Sequence, residues 1–182
     1  MLNEVQTSLR GLFVVQRNKK TDSRGSLERL FCVSNLSSWC GRPVRQINKT
    51  TTLQKGTIRG LHFQYPPAAE FKLVTCISGS VFDVAVDLRL HSETYGKSFC
   101  IELTEKNATS VIIPTGFAHG FQTLSSNVEM LYLHSEDYSP SCEAGVDALD
   151  ADLAIPWPRM CSERSTRDAN LIKFNEFEGI KL

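Results

Sequence analysis

Four side chains able to move or stabilise a proton stand in patterned settings along this sequence. His62 lies in the run Arg59-Gly60-Leu61-His62-Phe63-Gln64. Lys72 opens the apolar run Lys72-Leu73-Val74-Thr75-Cys76-Ile77. Tyr132 sits within Val128-Glu129-Met130-Leu131-Tyr132-Leu133-His134, and Asp168 follows Ser165-Thr166-Arg167. A neutral imidazole, with a reference pKa of about 6.5, accepts a proton at physiological pH. An ammonium turned into an interior stabilises an oxyanion, a phenol serves as a general acid, and a carboxylate fixes the tautomer of a nearby histidine. Each residue also has a plain structural reading. His62 reads as a hydrogen-bonded wall residue and Lys72 as a guard on an exposed strand edge. Tyr132 reads as an amphipathic core residue, and Asp168 as a carboxylate in a capping box at a helix start.

Other polar residues fall at telling spacings. Alternate residues on a strand share a face, so Gln46, Asn48 and Thr50 lie together, facing either solvent or a pocket. Arg59 and His62 take opposite faces under strict alternation, and only a bulge at Gly60 brings both to one site. Asp83 and Asp87 share a face on Val81-Phe82-Asp83-Val84-Ala85-Val86-Asp87, and carboxylates there need partners if buried. His119, three residues after Gly116, fits the second half of the metal-binding cupin pattern. The first half calls for two histidines one residue apart, and here that place reads His62-Phe63-Gln64. His62 and His119 are too few for a transition metal, and His91 and His134 have no ligand spacing, so a barrel without a metal is expected.

These residues need strands to position them. Short apolar, β-branched runs recur at Leu12 to Val15, Lys72 to Ile77, Val81 to Leu88, Phe99 to Leu103, Val111 to Ile113 and Val128 to Leu133. Turn residues separate them, at Asp22-Ser23-Arg24-Gly25, Ser78-Gly79-Ser80, His91 to Gly96 and Pro114-Thr115-Gly116. Many short strands at regular spacing predict an all-β sandwich or barrel. Helix is expected only as one or two turns near Asn35 to Cys40 and as a short piece within Ser165 to Phe174. The chain reads as one domain over 1–182, with a barrel core at about 22–158 and a looser C-terminal segment over 159–182.

The chain's 20 Lys and Arg balance its 20 Asp and Glu, which argues against nucleic acid or an anionic membrane as the main partner. The N-terminus has no signal-peptide pattern, and no stretch is long and apolar enough to span a bilayer. None of the six cysteines forms a CxxC pair, so they read as reduced thiols of a cytoplasmic protein.

Taken in order, the stretches Asp22 to Gly25, Gln46-Ile47-Asn48, Arg59 to Gln64, Lys72-Leu73-Val74, Val81 to Asp87, Ile113 to Phe121, Leu131-Tyr132, Tyr138-Ser139-Pro140 and Arg167-Asp168 resemble the dTDP-4-dehydrorhamnose 3,5-epimerase family. The resemblance spans nearly the whole chain. It implies a cupin-type double-stranded β-helix (a jelly-roll barrel) with a short C-terminal helical segment, a homodimer, no cofactor, and a dTDP-linked 4-keto-6-deoxy sugar as substrate. It further implies His62 as base, Asp168 as its carboxylate partner, Lys72 near the sugar ketone and Tyr132 as acid on the opposite face. Asp83 and His119 would be further members of the polar pocket. Arg24, Gln46, Asn48, Arg59, Tyr138 and Arg167 would contact the nucleotide diphosphate or sugar. The sequence departs from the family pattern at Asp137-Tyr138, at 145–150 and at 26–31, near expected substrate contacts. A single-site 3- or 5-epimerase, a sugar ketoisomerase and a non-catalytic sugar-binding cupin remain open at this point.

Overall fold

A computed structural model describes residues 2–182. Two antiparallel sheets face each other. The six-stranded sheet runs in the order β1 (Leu2–Gln6), β2 (Phe13–Arg17), β10 (Thr109–Ile113), β7 (Lys72–Ser78), β12 (Val128–His134), β5 (Gln46–Thr52). The five-stranded sheet runs β13 (Glu143–Gly145), β6 (Ile58–Gln64), β11 (Phe117–Thr123), β8 (Ser80–Asp87), β9 (Ser98–Thr104). A small hairpin, β3 (Lys20–Asp22) and β4 (Gly25–Leu27), stands apart from both. Strands adjacent in sequence cross repeatedly between the sheets, as in a jelly roll.

Period-two alternation sorts the side chains into three apolar layers. Val81 and Ala85 of β8, Met130 and Tyr132 of β12, and Val74 and Cys76 of β7 meet between the sheets. Val84 and Val86 turn outward, where they pack with Ile58, Leu61 and Phe63 under a cover of Val146, Leu153, Phe177 and Ile180. Leu73, Ile112 and Leu133 face out from the other sheet, beneath Leu36 and Trp39.

The apolar runs all became strands. The six-stranded sheet also takes in β1 and β2, ahead of the barrel start expected near residue 22. In Leu2–Gln6 the two apolar residues, Leu2 and Val5, are three apart and give no period-two alternation to read; β1 is an edge strand with Leu2 buried and Asn3, Val5 and Gln6 exposed. The expected helical turns near Asn35 to Cys40 are two 3-10 turns, Val33–Asn35 and Ser37–Trp39. The C-terminal segment is shorter in helix than expected, with only α1 (Thr166–Ala169) and a 3-10 turn at Phe174–Glu176. It is not loose: its apolar residues lie on the outer face of the five-stranded sheet.

Candidate active site

One end of the space between the sheets opens as a cavity of about 320 Å³. Its walls come from both sheets. β6 and β11 contribute Arg59, His62, Gln64 and His119, while β5, β7 and β12 contribute Gln46, Asn48, Thr50, Lys72, Tyr132 and His134.

Gly60 explains how Arg59 and His62 reach the same cavity. Along the pairing of β6 with β11, His119 lies opposite His62 and Phe121 opposite Arg59. Three steps on β6 therefore match two on β11, which is a bulge of one residue on β6. The strands touch closely there. A Cβ on Gly60 would sit 2.7 Å from both the Gly120 Cα and the His119 carbonyl oxygen, and the Gly60 φ is +116°. Only glycine fits such an approach and conformation without strain.

The His62 ring is held from behind. Its Nε2 lies 2.8 Å from Asp168 Oδ1, and the other oxygen, Oδ2, accepts the Gly60 N–H at 3.0 Å. Burial pushes the Asp168 carboxyl up, but the bonds from His62 and the Gly60 N–H outweigh it and hold the group at about 2. The carboxylate is thus charged at neutral pH and, having no proton to give, takes Nε2–H as its donor, which in the neutral ring tautomer leaves the lone pair on Nδ1. Asp168 is placed by α1, whose N-cap Ser165 accepts the Asp168 N–H at 3.0 Å. The Ser165-x-x-Asp168 spacing therefore makes a cap and a histidine partner at once.

Tyr132 stands on the opposite sheet. It is buried, its hydroxyl lies 3.3 Å from Thr50 Oγ1, and burial pushes its pKa upward, so the phenol keeps its proton. A second histidine–carboxylate pair, His119 Nε2 to Asp83 Oδ2 at 2.8 Å, is buried; His119, on β11, is paired opposite His62, and its ring centroid is 6.1 Å from that of Tyr132. Asp87 is also buried, but lies away from the cavity, bound by Arg89, Ser92 and Thr94. The bulk of the Asp83/Asp87 strand expectation is met, since both carboxylates have partners.

At the rim, Glu143 accepts from Tyr138 Oη at 2.6 Å and pairs with Arg167 at 2.7 Å. Burial raises the Glu143 pKa and Arg167 lowers it, with a net fall. Arg59 and Arg167 bring two guanidinium groups to this cavity, with Glu143 paired to Arg167. Of the residues singled out in the sequence, His62, Lys72, Tyr132, Gln46, Asn48, Arg59, His119, Tyr138 and Arg167 line the cavity, and Asp83 and Asp168 stand directly behind it. Arg24 does not join them. It lies exposed at the tip of the β3–β4 hairpin, bonded to Asp22 at 2.7 Å. Sequence reading missed Glu70, Glu143 and His134, which line the cavity. Glu70 and Glu143 lie outside the long apolar strands that gave the pattern; His134 lies at the end of one but had no ligand-like spacing.

Among the described residues no group of three or more His, Cys, Asp or Glu side chains is placed to hold a metal ion, and no helix is long and apolar enough to cross a membrane.

Residues 6–176 match the family described as dTDP-4-dehydrorhamnose 3,5-epimerase. A protein of that description from Escherichia coli is 34% identical over 183 residues, covering 100% of this chain and 99% of its own. A dTDP-4-dehydrorhamnose 3-epimerase from Streptomyces niveus is 35% identical, over 92% of this chain and 82% of its own. Among solved structures, the dTDP-6-deoxy-D-glucose-3,5-epimerase of Legionella pneumophila Philadelphia 1, in complex with dTDP-4-keto-L-rhamnose, superposes with a TM-score of 0.92 at 32% identity, covering 100% of this chain and 99% of that one.

Proposed function

The chain belongs to the dTDP-4-dehydrorhamnose 3,5-epimerase family, and from its cavity we propose that it inverts C3 and C5 of a dTDP-linked 4-keto-6-deoxyhexose. One observation carries this reading: His62 and Tyr132 enter a single cavity from two facing sheets. A ring held between them presents one face to the imidazole and the other to the phenol.

A carbon beside a ketone is acidic because the electron pair left by its proton spreads onto the ketone oxygen. His62 Nδ1 takes the proton from that carbon, and the C–H electrons form the enolate. The charged Asp168 carboxylate opposite Nε2–H stabilises the imidazolium. Lys72 donates a hydrogen bond to the enolate oxygen; a donor of this kind is worth about 3 kcal/mol. Tyr132 then delivers a proton to the opposite face of the same carbon, which inverts it; the imidazolium gives its proton to solvent and the phenolate takes one from solvent, so both groups are reset before they act again. Applied at C3 and at C5, both neighbours of C4, the same pair of groups inverts both centres. No electron is gained or lost overall, so the chemistry is proton transfer alone.

Arg59 and Arg167 suit the two phosphates, since guanidinium forks bind phosphate oxygens bidentately. Gln46, Asn48 and Tyr138 extend this wall toward the nucleotide, and the His119–Asp83 pair lies beside the sugar. Arg24, out on its hairpin, meets the ligand only if a second copy brings that hairpin across, and a homodimer forms part of this reading. The exposed edge strand β5, with Ile47 61% exposed, supports a partner surface. Six unpaired cysteines support a reducing, cytoplasmic setting.

The test is proton exchange in deuterated buffer with dTDP-4-keto-6-deoxyglucose. Deuterium at both C3 and C5 of an inverted product is expected. Exchange at one carbon alone would make the protein a single-site epimerase, and no exchange would leave it a binding protein.

A further inference from the structure

The ammonium of the cavity, Lys72, has a partner that the proton-transfer scheme leaves unused. Lys72 Nζ lies 2.9 Å from Glu70 Oε1 and donates to the His62 carbonyl oxygen at 3.4 Å. Glu70 is buried, with its other oxygen, Oε2, 2.9 Å from Gln64 Nε2 and 3.2 Å from His134 Nδ1. Burial raises the Glu70 pKa, but Lys72 and His134 lower it further, so the carboxylate is charged. A buried carboxylate beside a reacting cation has two opposed effects. It weakens the cation's field at the enolate, because the two charges partly cancel. It also fixes an otherwise flexible four-carbon stem.

Donor counting decides between them. An ammonium has three N–H groups. Glu70 and the His62 carbonyl each take one, so a single N–H is left for the substrate. The second anchor is the backbone of the base itself, which ties the oxyanion donor to the imidazole. Glu70 is in turn fixed by Gln64, whose amide nitrogen also donates to the Ala68 carbonyl at 2.9 Å and whose amide oxygen accepts the Ser139 N–H at 2.6 Å. His134, the remaining contact, stacks on the Tyr132 ring at 6.2 Å and 24°.

We propose that Glu70 is a positioning residue for this reaction: it holds the Lys72 ammonium on the His62 carbonyl so that one N–H meets the enolate oxygen. This rests on the epimerase reading of the cavity. Because the aim of that N–H matters when charge builds on oxygen, its loss is felt in kcat and not in KM.

The test uses the whole enzyme and the deuterium assay above. Glu70→Gln keeps the shape of the side chain and removes its charge. Its kcat should fall by about 10²-fold, the cost of a misplacement near 1 Å, while KM moves less than about threefold. In a Lys72→Ala background the same substitution should cost no more than about twofold further, since the two act as one unit. If Glu70→Gln does not fold, Glu70→Asp, which keeps the charge and withdraws it by one methylene, should show the same fall in kcat alone. A wild-type kcat in a folded Glu70 variant, or a full additional loss in the Lys72→Ala background, would overturn the proposal. A wild-type protein that exchanges no proton would overturn the epimerase reading instead.

Discussion

Asp168 does two jobs with one carboxylate, and both leave a signature in pH. Its bonds to His62 and to the Gly60 N–H hold it at about 2, below the ordinary carboxyl value of about 3.9. A carboxyl lowered by folding stabilises the fold above its unfolded value and loses that contribution as pH falls through its folded one. Stability that Asp168 supplies should therefore be complete above about pH 4 and fade toward pH 2, and urea melts of Asp168→Asn should lack that part of the acid loss. At neutral pH, the same variant should bind the nucleotide sugar while turning over slowly, because the ring loses its tautomer. His62→Ala should lower kcat by about 10³-fold with substrate binding retained, as for loss of a general base. Tyr132→Phe separates the two faces of the sugar. Proton exchange by His62 should continue, while inversion slows by about 10²-fold or more. Inversion at the wild-type rate in Tyr132→Phe would remove the phenol from the scheme. Nuclear magnetic resonance of the product in deuterated water measures both effects at once.

The bulge on β6 is the element that makes a base of His62. Without the extra residue, Arg59 and His62 would point to opposite faces and the cavity would lose one of them. Gly60→Ala should therefore do more than weaken the strand. Its Cβ would meet Gly120 and the His119 carbonyl at 2.7 Å, and its φ of +116° strains any side chain. A loss of about 3 kcal/mol in stability, read by urea melting, is expected from strain of this kind, with activity lost even in the folded fraction. Sequence reading found this bulge as a need, from one glycine between two polar residues. It found the strands because apolar runs with period two are strong local signals; pattern alone left Gln46, Asn48, Lys72, Asp83, His119 and Tyr132 open between core, solvent and pocket, and it was the family resemblance of their stretches, taken in order, that put them at one site. It could not find Glu70 or Glu143. Both are single acids in irregular or very short segments, and their position across the cavity is set by how the sheets face each other. Arg24 shows the converse: its sequence neighbourhood signalled a turn, and the turn is there, but a turn places nothing against a distant wall.

Across the whole molecule, the barrel is closed on the outside by segments that are distant in sequence. Residues 146–180 lie on the outer face of the five-stranded sheet and also deliver Asp168 to His62. Their placement is pinned by Asp147, which binds Arg164 and Lys173 at 2.5 Å each, on either side of α1. Asp147→Ala should loosen α1 and so depress kcat more than KM, in contrast to a change at a phosphate contact such as Arg167→Ala, which should raise KM. Steady-state kinetics with the keto sugar separates the two. A chain cut after Pro158 should not behave as a slow enzyme with a loose end. It would lose Phe177 and Ile180 from the cover over Ile58, Leu61, Phe63, Val84 and Val86, and size-exclusion chromatography should find it aggregated. The imidazole and its carboxylate stand 106 residues apart along the chain. While the polypeptide is being made, the strand bearing the base leaves the ribosome long before its partner does. Chemistry arrives only when translation has passed residue 168, so a message broken late in its coding region yields no half-working enzyme to act on the cell's sugar nucleotides.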